Sequence, residues 1–116
     1  MVKIQYATIS ETGKRKNNED AFRMISMSDG NRWLAVVCDG MGGHDKGEVA
    51  SETVADAIVN YWRKAVDEID SKDKVENACQ KARVALDECA FTMGHVKMGT
   101  TMVMASIEGD TVTIAH

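Results

Sequence analysis

At 116 residues the chain suits a single small domain, 1–116, because compact domains cluster at roughly 100 to 150 residues. With 44% hydrophobic and 28% charged residues, and no apolar run near the roughly 18 residues that cross a bilayer, it reads as a soluble globular protein with no place in a membrane. The net charge of -4 and the dispersal of the basic residues argue against nucleic acid, since phosphate binding needs a basic stripe.

The opening MVKIQYATIS lacks a basic region followed by an apolar segment and a small-residue cleavage site, so a cytoplasmic location is expected. Cys38, Cys79 and Cys89 are an odd number at wide spacing, which indicates neither a disulfide framework nor a zinc site.

In chain order, Lys3 to Ile9 alternates loosely and is rich in β formers, and a second strand is expected over Ala21 to Met27. The turn cluster Ser28-Asp29-Gly30-Asn31 leads into Trp33 to Cys38, a continuously apolar run that predicts a strand buried on both faces and a hairpin with its predecessor. From Val49 to Ile69 apolar residues recur at three- and four-residue spacing, which predicts a helix. Asp73 and Glu76 have capping-box spacing, and a second helical stripe runs from Val75 to Met93, ended by Gly94. Thr100 to Ile107, the turn Gly109-Asp110, and Thr111 to Ala115 then predict a last hairpin. Strands, two antiparallel helices and strands again give an α+β fold, with helices on one face of an antiparallel sheet.

The chemistry concentrates in WLAVVCDGMGGHDKGEVAS, residues 33–51, where a buried strand runs into Asp39 and glycines follow. A carboxylate on a rigid strand end beside permissive backbone is a good ligand for Mg²⁺ or Mn²⁺, and a glycine carbonyl can join it; Asp-Gly is equally a common turn signal. NNEDAF, residues 17–22, places Glu19 and Asp20 at the strand end that an antiparallel hairpin brings beside Asp39. Three carboxylates would then converge, and like charge at such density calls for a cation or proton. Arg15 is the guanidinium nearest this edge in sequence, suited to phosphate oxygens or to a solvated turn.

R-K-N-N-E-D at 15–20, V-C-D-G-M-G-G-H at 37–44, G-E-V-A-S at 47–51 and M-G-T-T at 98–101 together resemble the bacterial branch of the metal-dependent type 2C serine/threonine protein phosphatases. The resemblance implies an antiparallel β-sandwich flanked by helix pairs, a two-metal Mn²⁺ or Mg²⁺ centre and a phosphoprotein substrate. It implies that Asp39 bridges the metals, the Gly40 carbonyl binds one, Glu19 acts through water, Asp20 orients the shell and Arg15 holds the phosphate. A bridging hydroxide would attack phosphorus in line. Gly99, Thr100 and Thr101 match a motif read as structural support.

Two departures stand out. Many eukaryotic relatives carry a proposed general-acid histidine where this chain has Met41; His44 cannot inherit the role by alignment, so water would deliver the proton. T-I-A-H at 113–116 resembles the strand leading into the family's V-G-D-S-R motif, and the two aspartates that follow in the family are not present. The expectation is therefore the amino-terminal half of such an enzyme, weak or inactive alone and self-associating through an exposed apolar sheet face or edge. The alternatives are a non-catalytic metal-binding or interaction module on the same fold, and an unrelated α+β protein whose acids only form turns.

Overall fold

The computed structural model describes residues 19–27, 30–42, 46–65 and 70–116; the strand expected over Lys3 to Ile9 lies outside them. In chain order the described elements are β1 (Asp20–Ser26), β2 (Arg32–Met41), α1 (Lys46–Lys64), α2 (Ser71–Thr92), β3 (Gly99–Glu108) and β4 (Thr111–Ala115). The strands form one antiparallel sheet in the order β1-β2-β3-β4. The glycines expected to turn do so: Gly30 and Gly109 adopt φ of 73° and 59°, and Gly109 N donates to Asn31 O at 2.9 Å, tying the two hairpin loops together. At the end of α2, Gly94 has φ 95°, the left-handed conformation that lets a helix terminate.

Strand periodicity decides what is buried. Leu34, Val36 and Cys38 of β2, with Ala21 of β1 and Met104 of β3, are fully packed and point at the helices; the residues between them point the other way. Onto this face α1 lays Ala50, Val54, Ala55, Ile58 and Trp62, and burying each large apolar side chain contributes roughly 1.5–3 kcal/mol. α2 runs back antiparallel along α1, with Cys89 beside Thr53 and Lys74 beside Trp62. Near the far end of the sheet the Lys74 ammonium is buried, donating to Glu108 at 2.8 Å and lying 5.9 Å from the Trp62 ring centroid. The Trp62 indole N–H in turn donates to the buried Ser106 hydroxyl at 3.2 Å.

Three expectations are corrected. The run from Trp33 to Cys38 is buried on one face only, and Val37 is 50% exposed, because among the described residues nothing packs on the face away from the helices. That face carries the cross-strand rows Phe22–Val37–Val103 and Met24–Ala35–Ala105–Ile114, and its Val103, Val112 and Ile114 are exposed as well. β2 does not stop before the aspartate but continues through Asp39 and Gly40 to Met41, because β3 stays paired beside it as far as Gly99. The second helix is capped by Asp70, not Asp73: its carboxylate accepts from Lys72 N at 2.9 Å, so the helix starts at Ser71.

Candidate functional site

The pairing of β1 with β2 sets Asp20 directly opposite Asp39. Pleat alternation sends both side chains to the face away from the helices, with Thr101 of β3 next in the same row. Carboxylates directly opposite each other in an antiparallel pair repel, so the arrangement is stable only beside positive charge, from a side chain or a cation. Thr101 braces the aspartate through its backbone: its hydroxyl oxygen accepts from Asp39 N at 3.2 Å and lies 3.4 Å from Asp39 O. This bracing is the support expected of the M-G-T-T segment.

Glu19 reaches the site from the other side. Its carbonyl accepts from Gly40 N at 2.9 Å, which holds it at the same strand end, but it precedes Asp20 by one residue and its carboxyl lies towards the helices. There it packs against the first turn of α1: a Cβ added to Gly47 would stand 2.6 Å from the Glu19 carboxyl carbon. An acid at this place also faces the positive end of the helix dipole. A Cβ on Gly40 would in turn fall onto the Gly47 carbonyl. The two glycines thus let the end of β2, the start of α1 and the Glu19 main chain meet at backbone contact.

The expected convergence of three carboxylates holds in part. Glu19, Asp20 and Asp39 gather at one end of the sheet, but Asp20 and Asp39 lie on one face and Glu19 on the other. Among the described residues no group of three or more His, Cys, Asp or Glu side chains is placed to hold a metal ion. The cause is the two-residue period of the strand, which sends neighbours to opposite faces. Arg15 and His44 lie outside the described residues. The donor set nonetheless suits a hard cation, since carboxylate and main-chain carbonyl oxygens are what Mg²⁺ and Mn²⁺ take.

Two supports were not read from the sequence. Gly47 is one, its role fixed by a contact between segments. The other is Arg23, which projects from β1 towards α1, pairs with Glu52, donates to Asp56 at 3.1 Å and to Phe22 O at 2.8 Å. The signal was there: a lone guanidinium in DAFRMIS and two acids four residues apart on the following helix. Behind Asp39, burial pushes the Cys38 thiol up to about 11, against a hydrogen bond with Thr100 that pulls it down, so this cysteine is a packed, un-ionised neighbour of the site.

Comparison with known proteins places this geometry. The serine/threonine phosphatase stp of Listeria monocytogenes serotype 4b is 32% identical over 108 residues, covering 88% of this chain and 42% of its own. The Stp1 phosphatase of Staphylococcus aureus superposes with a TM-score of 0.77 at 32% identity, over 91% of this chain and 43% of that one. The catalytic domain of the phosphatase PstP, solved with two manganese ions, does so at 0.81 and 29% identity, over 97% of this chain and 46% of that one. This chain therefore spans less than half the length of these relatives. The family model for protein phosphatase 2C matches residues 10–116. Because that match runs through both acidic strand ends and every described element, the chain belongs to the protein phosphatase 2C family.

Proposed function

We infer that this chain carries the first half of a metal-dependent serine/threonine phosphatase centre, acting on phosphoserine or phosphothreonine in proteins. The observation that carries the reading is the Asp20–Asp39 pair, two carboxylates set opposite each other at a braced strand end in a chain of this family. In this proposal Asp39 and the Gly40 carbonyl hold the Mn²⁺ or Mg²⁺, Glu19 acts through an intervening water, Asp20 orients the shell and Arg15 grips the phosphate. When bound, divalent cations neutralise phosphoryl charge and make water a competent nucleophile near neutral pH. The thioether of Met41 carries no transferable proton, so the leaving serine or threonine oxygen takes its proton from water.

The chain spans less than half the length of these phosphatases, and in this proposal the stretch by itself gives weak or no turnover. The chain's apolar sheet face, exposed among the described residues, is proposed to associate with a second copy. Its cysteines are free, which suits the reducing cytoplasm proposed as its location.

The test is Mn²⁺-dependent hydrolysis of an aryl phosphate and of a phosphopeptide, with Asp39→Asn as control. Slow Mn²⁺-dependent turnover lost in the variant, or Mn²⁺ binding without turnover, supports the reading. Turnover indifferent to both Mn²⁺ and Asp39 contradicts it.

A further inference from the structure

Beside the aspartate pair lies a recess of about 290 Å³ lined by Met41, Gly42, Lys97, Met98 and Gly99. It forms because β2 and β3 pair to their ends with Met41 opposite Gly99, bringing the last residue of β2 against the segment that enters β3. Met41 follows Asp39 by two residues, so its side chain is on the same face, and it is 55% exposed. A flexible, polarisable thioether at the surface is poorly explained by packing and well suited to an adaptable contact.

Gly99 gives the clearest sign that the space is kept open. Its backbone is not in the left-handed region, where Gly30, Gly42, Gly94 and Gly109 are found. Nor does crowding by the described residues require it: among them an added Cβ would meet the Met41 Cγ and Sδ, at 3.6 and 3.8 Å, ordinary contact distances. The missing side chain therefore serves neither backbone geometry nor close packing, and its consequence is an unfilled recess. The bracing of Asp39 in this segment belongs to Thr101. Lys97, exposed on the rim, adds a mobile positive charge.

We propose that this recess is a specificity pocket for the peptide around the phosphorylated residue, taking one leucine- or methionine-sized side chain next to the phosphoserine or phosphothreonine, with Lys97 favouring a carboxylate beside it. The proposal rests on the phosphatase reading and names the substrate class of that same site. Two residues of strand span about 6.6 Å, so a phosphate at Asp39 leaves the neighbouring side chain of an extended peptide within reach of Met41. The apolar floor and the Lys97 ammonium on its rim fit an acidic-apolar sequence and disfavour a basic one.

Fluorescence anisotropy on the full chain with Mn²⁺ tests this without turnover, using labelled phosphothreonine peptides with Leu-Glu, Gly-Gly or Leu-Lys after the phosphoresidue and their unphosphorylated forms. The expected order is Leu-Glu tightest, then Leu-Lys, then Gly-Gly, with about tenfold between the extremes, the scale of one apolar side chain in a pocket. Gly99→Val fills the recess with a residue that strands favour, and should erase the leucine preference while leaving Gly-Gly binding unchanged. Lys97→Glu should reverse the order of Leu-Glu and Leu-Lys. Equal affinity for the three phosphopeptides, preferences untouched by both variants, or no peptide binding at all overturns the pocket. Failure of the phosphatase reading looks different: the phosphorylated and unphosphorylated forms of each peptide would bind alike.

Discussion

Cys38 and Lys74 show what burial demands of single reactive side chains in this chain. Lys74 remains where an amine is costly because Glu108 and the Trp62 face answer it; a charge pair of this kind is strongly destabilising to break by removing one partner. At Cys38 burial outweighs the Thr100 hydrogen bond and the Arg23 charge and holds it as a thiol, raised from 9.0 to about 11. The sign follows from linkage: between these values the unfolded chain has lost the proton that the folded chain retains, so stability falls as pH climbs from about 9 to about 11. We expect thermal melts across that range to be less steep for Cys38→Ala than for the unsubstituted chain. In the native state Cys38 should resist a thiol reagent that labels the less buried Cys79 and Cys89, and react only on unfolding. Equal labelling of all three cysteines would contradict this. The burial of Cys38 was legible in its apolar strand, whereas Lys74 reads from the sequence as a solvated helix residue.

At the scale of elements, the site is a junction between the end of β2 and the start of α1, and its two glycines do different things. A methyl on Gly40 meets the main-chain carbonyl of Gly47, which cannot move without shifting the helix, whereas a methyl on Gly47 meets the movable carboxyl of Glu19. Gly40→Ala should therefore cost about 3 kcal/mol or more in folding stability. Gly47→Ala should melt close to the unsubstituted protein, helped by alanine's helix preference of about 1 kcal/mol, yet bind Mn²⁺ more weakly because Glu19 is displaced. Equal melting temperatures for the two variants would contradict this account of the junction. The elements themselves were legible: the helices and the strand that ends before the Gly109 turn follow directly from periodicity and turn chemistry. What the sequence could not give was the side of the strand end on which each acid lies. Adjacent residues such as Glu19 and Asp20 read as one cluster until the pleat separates them. The Asp70 cap was misplaced for a related reason, since Asp73 offers an equally good local pattern and only the packed helix decides between them.

At the scale of the whole molecule, two helices cover one side of the sheet, while among the described residues Val37, Val103, Val112 and Ile114 are exposed on the other. The chain covers 42% of the Listeria phosphatase and 43% of the Staphylococcus one. Exposed apolar patches of this kind mark contact surfaces, and the association proposed above predicts that sedimentation velocity shows species growing with protein concentration, reduced by Val103→Lys. A monodisperse monomer at all concentrations would contradict that. The central claim concerns the other feature of the whole molecule, the acidic end of the sheet, and calorimetric titration with Mn²⁺ tests it most directly. Binding by the unsubstituted chain, weakened about tenfold or more in an Asp39→Asn variant with unchanged circular dichroism, is the predicted result. No binding, or binding that the substitution leaves untouched, would contradict the claim that these strand ends are built around a divalent cation.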